Sequence, residues 1–351
     1  LTLVALRSAT VHAQGLRINQ LRLLGTHNSY HLAPDPWTLD LIAAARPHDA
    51  RAIDYSHRPL HEQLEELGLR HFELDLYLDP GAELFRRPFA IALARTSGVE
   101  IPDFDPGQRL RTPGIKVLHS PDFDYRTTVY TLKDGLLQLR AWSTAHPGHV
   151  PLFVLLELKS DSHWPLTRPV PWSEAGFTEL EETVLEVIPR ERVLTPDDVR
   201  AGRATLRDAV RNRGWPEVEP HRGKFVFLLD NEGALRDEYL ARSETLEGRL
   251  LFVSVPPDHP AAAWMKRNDP ISAHDEIKAL VEAGFLVRTR ADSDTVEARE
   301  NRTHRREYAL SSGAQLISTD YPEPDLRFSD YHVPPLEVPE QRPVPREPPG
   351  P

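Results

Sequence analysis

Eight runs rich in Leu, Val, Ile and Phe recur along the chain, at 21–25, 71–77, 115–119, 152–158, 224–229, 250–255, 285–289 and 314–318. Continuous apolar runs of this length suit strands buried on both faces, as in a parallel sheet. Apolar spacing near 3.6 falls between many of them, at 60–68, 131–145, 174–188, 203–212 and 272–283, with a charged helix expected over 294–312. Strands alternating with helices predict an α/β fold with crossover connections. Eight such strands favour a single closed (β/α)8 TIM-type barrel over an open sheet. No glycine-rich phosphate loop follows any strand, which argues against an open nucleotide-binding sheet.

In a barrel of this kind the long connections after strands sit on the catalytic rim. The Pro- and Gly-punctuated inserts 31–59 and 79–113, and the segment 160–173 with its two tryptophans, are expected there as irregular loops. The barrel is expected over 21–322, preceded by an extension at 1–20 and followed by a Pro-rich tail at 323–351, extended and mobile. The first residues, LTLVALRSATVHAQ, resemble the end of a secretory signal interrupted by Arg7; an extension of another role is the equal alternative. A secreted protein is the expectation. No apolar run reaches membrane-spanning length. There is no cysteine, so disulfides and thiolate metal sites are excluded. A net charge of −11 without a basic stripe excludes a general nucleic-acid role.

Polar residues end four of the runs. In 72–78, Phe72, Leu74, Leu76 and Leu78 share one face, and Glu73, Asp75 and Tyr77 the other. The apolar face packs on helices, so the acids face the barrel interior. An unpaired carboxylate is costly there and two repel each other, which a divalent cation at the strand end resolves. The plainer alternative is an edge strand with its polar face in water. Glu157 ends a long apolar run, and Lys159 shares its face, either facing substrate or forming a local ion pair with Glu157. The first run ends in Gly25-Thr26-His27-Asn28-Ser29, where Asn28 offers a neutral oxygen ligand and His27 lies beside it. His119 ends the third run. Two strand-end histidines flanking the acids point to proton transfer beside a metal. All-oxygen ligands favour Ca²⁺ or Mg²⁺ over zinc. With a 2+ ion the three carboxylates carry about one net negative charge, which accommodates an anionic substrate. His57 and His61 have helical spacing but span a proline, and are read as rim and packing residues.

These motifs resemble the calcium-dependent phosphatidylinositol-specific phospholipase C family, in its bacterial secreted form with the catalytic barrel alone. The carriers are GTHNSY (25–30), YSHRPLHEQLEELGLRHFELDLY (55–77), VLHSPDFDYRT (117–127), LLELKSD (155–161), FVFLLDNEG (225–233) and ISTDYP (317–322). The resemblance implies that His27 and His119 are catalytic and that Asn28, Glu73, Asp75 and Glu157 bind Ca²⁺. It implies cleavage of phosphatidylinositol to diacylglycerol and inositol 1,2-cyclic phosphate.

Family members that cleave polyphosphorylated inositides carry lysines along the fifth strand. Here that strand reads KFVFLLDNEG, with Asp230 and Asn231 at the rim. Acid and amide suit free ring hydroxyls, so an unphosphorylated headgroup is expected. Arg290 and Tyr321 end later strands and are further substrate-binding candidates. A monomer is expected to meet the membrane through Trp164 and Trp172. The competing readings are a barrel phosphodiesterase of the glycerophosphodiester or sphingomyelinase D type, and a non-catalytic calcium-dependent lipid or sugar binder.

Overall fold

The structure is a computed structural model that describes residues 15–161 and 166–339. Nine strands form one sheet: β1 (Leu23–Thr26), β2 (His71–Asp79), β3 (Gly114–Val117), β4 (Leu152–Leu158), β5 (Phe225–Leu229), β6 (Leu251–Val253), β7 (Trp264–Lys266), β8 (Leu286–Arg290) and β9 (Leu316–Thr319). Eight of them run parallel in the order β6-β5-β4-β2-β1-β9-β8-β7. A single parallel bridge, Ser254 to Trp264, joins the two ends. The result is a nearly closed TIM-type barrel with its seam between β6 and β7.

The membership of the eight differs from expectation at one place. The run at 115–119 is no barrel strand. It forms β3, which pairs antiparallel with the end of β2, Leu76 opposite Val117 and Asp79 opposite Gly114. The eighth parallel strand is β7, only three residues long. It lies between Pro256–Pro260 and Asn268-Asp269-Pro270, where turn residues hide a short run.

The alternation read in β2 holds. A Cβ added at Gly135, on the helix Leu132–Ala145, would lie 3.5 Å from Leu74, so Leu74 faces that helix. Gly176 likewise meets Leu78. Thr131 caps the helix by accepting the amide of Asp134. Gly25 is a place where only glycine fits, because a Cβ there would lie 2.0 Å from the His71 carbonyl oxygen. That contact fixes how closely β1 and β2 approach.

The rim inserts are more regular than expected. They contain the helices Pro36–Ala45, Pro47–Ala52 and Phe89–Thr96. Two start with proline at the first position, where its missing N–H is harmless, and Asp35 caps the first. Their apolar residues Ile42 and Ala90 pack with Phe123 and Tyr125 in a separate small core. The expected helix over 294–312 is two, Val296–Glu300 and His304–Ser311, broken at Asn301 with φ +49°.

The ends also differ. Ile18 is fully buried in the main core, and its amide donates to the Pro216 carbonyl. The stretch 323–339, expected to be mobile, lies against the barrel: Val333 is fully buried, and its amide donates to Tyr321. The secretory-signal reading of residues 1–14 and the rest of the Pro-rich tail lie outside the described residues. Among the described residues no helix is long and apolar enough to cross a membrane.

Candidate active site

The inward residues at the carboxyl ends of the strands meet in one charged cluster. Oxygens of Glu73 and Asp75 on β2 and Glu157 on β4 lie within 4.8 Å of one another. The β2–β4 register sets Asp75 directly beside Glu157. Two cations reach the cluster, Arg288, which was not expected, and Lys159, which forms the ion pair with Glu157 that was the alternative to facing substrate. Arg288 on β8 crosses the lumen to Glu73 Oε2 at 2.5 Å, with both side chains buried. The Lys159 ammonium lies 3.1 Å from Asp75 Oδ2 and 2.7 Å from Glu157 Oε1. Two cations thus already offset two of the three carboxylates.

Burial still dominates two of the acids. Desolvation pushes both Glu73 and Asp75 up to about 8, against the pull of Arg288 on one and Lys159 on the other. Glu157 is only partly buried; desolvation raises it, but Lys159 overcomes that and brings it down to about 2. Asp75 Oδ1 and the side-chain amide oxygen of Asn28, Oδ1, are buried without a hydrogen-bond partner. Asn28 holds φ +44°, a left-handed conformation that asparagine tolerates better than most residues. Three convergent carboxylates with two orphaned oxygens at the same strand ends form a hard, all-oxygen donor set. It fits a calcium ion and does not suit zinc. Glu73, Asp75, Glu157 and Asn28 are the residues that would hold it.

Both histidines stand beside this cluster, each with an aspartate on its Nδ1. His27 Nδ1 is 2.9 Å from Asp320 Oδ1, and its Nε2 lies 3.9 Å from Glu73 Oε1. Burial and then Arg290 hold the His27 ring down at about 3. Arg290 binds the other oxygen of Asp320 at 3.1 Å. His119 Nδ1 is 2.6 Å from Asp124 Oδ2. Asp124 also takes Nε2 of the fully buried His31 at 2.9 Å, whose Nδ1 faces the Tyr55 carbonyl at 3.0 Å. Burial works against the charge on Asp124, yet His31 and His119 keep it below the usual carboxylate range. The antiparallel β3 explains how His119 arrives: the chain returns beside β2 and brings the ring back to the mouth. A cleft of about 300 Å³ opens over His27, Asn28, His119, Arg290 and Asp320.

Other candidates have different surroundings. Asn231 spends its amide on β4, accepting from the Leu158 amide at 2.7 Å and donating to the Leu158 carbonyl at 2.9 Å. Asp230 pairs with Lys266 of β7 at 2.7 Å. Tyr321 is buried and packs edge-on to Tyr331 at 5.9 Å. His57 donates Nε2–H to the His27 carbonyl at 2.8 Å, a packing role, while His61 is exposed. Trp172, expected at the membrane, is 4% exposed; it stacks on Phe177 and donates to the Lys159 carbonyl. Burial removes it as an inserting residue. Trp164 lies outside the described residues.

Sequence reasoning missed Asp124, Asp320, His31, Arg288 and Lys266. Asp124 and Asp320 lie inside quoted motifs, VLHSPDFDYRT and ISTDYP. Arg288 was detectable from alternation, since it shares a face with Arg290.

The sequence model of the family described as phosphoinositide phospholipase C, Ca²⁺-dependent, matches residues 16–345. The chain belongs to that family. It is therefore an enzyme of the phosphodiesterase class, and the family is calcium-dependent. Solved structures agree on the fold. The calcium-dependent phosphoinositol-specific phospholipase C of a Gram-negative Pseudomonas species is 16% identical, with TM-score 0.54 over 92% of this chain and 96% of that one. The same enzyme described with myoinositol gives TM-score 0.53 at 16% identity, over 91% and 95%. The Ca²⁺-dependent phosphatidylinositol-specific enzyme of Streptomyces antibioticus is 17% identical, with TM-score 0.53 over 87% and 95%. A search of the curated proteins gave no match.

Proposed function

We propose that this phospholipase C cleaves unphosphorylated phosphatidylinositol to diacylglycerol and inositol 1,2-cyclic phosphate, with His27 and His119 as the catalytic pair. The observation that carries the reading is two aspartate-oriented imidazoles beside a largely buried three-carboxylate cluster at one barrel mouth.

Bound calcium supplies positive charge for a phosphoryl oxygen and eases ionisation of the inositol 2-hydroxyl. The chain's residues do the rest. The 2-hydroxyl oxygen bonds to phosphorus as the bond to the glycerol oxygen breaks. Glu157 is the most exposed carboxylate of the cluster, at 28%, and is the acceptor for the hydroxyl proton. His27, its Nδ1 held by Asp320, takes up a proton when the phosphodiester anion binds beside it and donates Nε2–H to a phosphoryl oxygen. His119, its ring set by Asp124, gives a proton to the departing glycerol oxygen. Arg290 lines the cleft and faces the headgroup. β5 itself, FVFLL, carries no lysine, and Lys266, which reaches Asp230 from β7, is neutralised there. That supports a headgroup with free hydroxyls.

Membrane contact falls to exposed apolar residues on the connections after strand ends. Phe89, the first residue of its helix, is 40% exposed, and its ring is tilted against that of Phe123, close after His119. Leu326 is 81% exposed on the loop after Asp320. These replace Trp172 in that role.

The test is phosphorus NMR of phosphatidylinositol vesicles with the purified protein, in calcium and then in excess chelator. A cyclic inositol phosphate signal that disappears with chelator, and in His27→Ala and His119→Ala, is the expected result. Glycerol phosphate or free choline from other lipids, with no cyclic product, would overturn it.

A further inference from the structure

The calcium-binding carboxylates do not wait unpaired. Lys159 follows Glu157 by two residues, so its side chain leaves β4 on the same face and reaches back into the cluster. Its ammonium stands between Asp75 and Glu157, at 3.1 and 2.7 Å. The side chain is only 13% exposed, and its backbone amide is fixed on the Leu76 carbonyl at 2.9 Å. The ammonium is therefore no surface group that happened to meet an acid. It lies where two of three metal-ligating side chains converge, and a second cation there would be strongly repelled.

We infer that Lys159 is an internal counter-ion for the calcium site, filling it in the metal-free protein and exchanged for calcium when the metal binds. The inference rests on the metal assignment of the proposed function. Exchange has two consequences. The metal-free barrel keeps a compensated mouth, since two cations, Lys159 and Arg288, hold the three acids. Calcium then has to displace a cation as well as bind, so its affinity is lower than the ligand set alone would give. The released ammonium turns out of the cluster toward the cleft, where it faces the phosphodiester anion.

The test is calorimetric calcium titration of the wild-type protein and of Lys159→Met, which keeps the apolar stem and removes the charge. The variant is expected to bind calcium at least about tenfold more tightly. Its melting temperature in chelator should fall, and the rise on adding calcium should be larger than in the wild type. An affinity unchanged or weakened by the substitution overturns the exchange. A wild-type protein that binds no calcium overturns the metal assignment instead, so the two failures are distinct. Amine-selective labelling of the wild-type chain, without lipid and read by peptide mass, does not depend on the variant folding. Lys159 should label faster in calcium than in chelator, and equal labelling would sink the inference.

Discussion

One carboxylate of Asp124 binds two imidazoles, His119 through Nδ1 at 2.6 Å and the buried His31 through Nε2 at 2.9 Å. His31 stacks on Tyr55 at 4.4 Å between ring centroids. Asp124 therefore cannot turn without breaking a buried contact, and the His119 ring inherits that rigidity. Asp320 has the same place for His27, with Arg290 as its second anchor.

Replacing either aspartate by asparagine keeps the volume and removes the charge that fixes the ring. Asp124→Asn and Asp320→Asn should each lower kcat by about 10²-fold or more, with a smaller change in KM, since orientation acts in the transition state. Steady-state kinetics on phosphatidylinositol vesicles checks this. A change confined to KM would mean that the aspartates serve binding.

The Glu73–Arg288 pair spans the lumen with both partners buried. Removing Arg288 leaves an ionised Glu73 uncompensated, so above about pH 8 Arg288→Met should destabilise the metal-free fold by about 3–5 kcal/mol. The double variant Arg288→Met with Glu73→Gln should recover much of that loss. Urea unfolding in chelator measures both.

The raised acids give the metal-free enzyme a pH signature. Burial lifts Glu73 and Asp75 to about 8, far above the ordinary carboxylate range, so the folded state holds protons that the unfolded chain releases. Their contribution is complete at low pH and is lost as pH rises through about 8. His27 and His57, lowered by burial to about 3 and 4, act in the opposite direction, but only below the ordinary histidine range. Stability in chelator should therefore fall between roughly pH 6.5 and 8, where the acids dominate. Calcium should flatten that slope, and its binding should release protons. Denaturation curves across the window, with titrations in buffers of different ionisation enthalpy, provide the readout.

Gly25→Ala probes the seat of the site. The added carbon would fall 2.0 Å from the His71 carbonyl, so β1 and β2 must separate. The variant should lose more than the about 1–3 kcal/mol usual for overpacking, and its calcium affinity should drop with it. Thermal melts and calorimetry on the same sample check both.

Much of the site was legible because strand alternation is a strict period of two. It placed Glu73 with Asp75, and Glu157 with Lys159, on inward faces. The same rule, applied to β8, contains Arg288. Pairing direction was not legible. An apolar run such as 115–119 looks the same whether it runs with its neighbour or against it, and only the register of Leu76 with Val117 shows which. β7 was lost because three residues are too few to show a period. The jobs of Asn231 and Trp172 depend on which backbone group lies opposite, Leu158 for one and Lys159 for the other. No local pattern encodes that.

The antiparallel β3 has a consequence for how such an enzyme can change. Residues 80–113 leave from Asp79 and come back at Gly114, and those two residues are paired with each other. The stretch is thus a closed excursion, stapled at its base. Insertions or deletions within it need not shift His119 relative to Glu73 and Asp75. Variation in the surface of the rim is free to accumulate there, decoupled from the spacing of the residues at the barrel mouth.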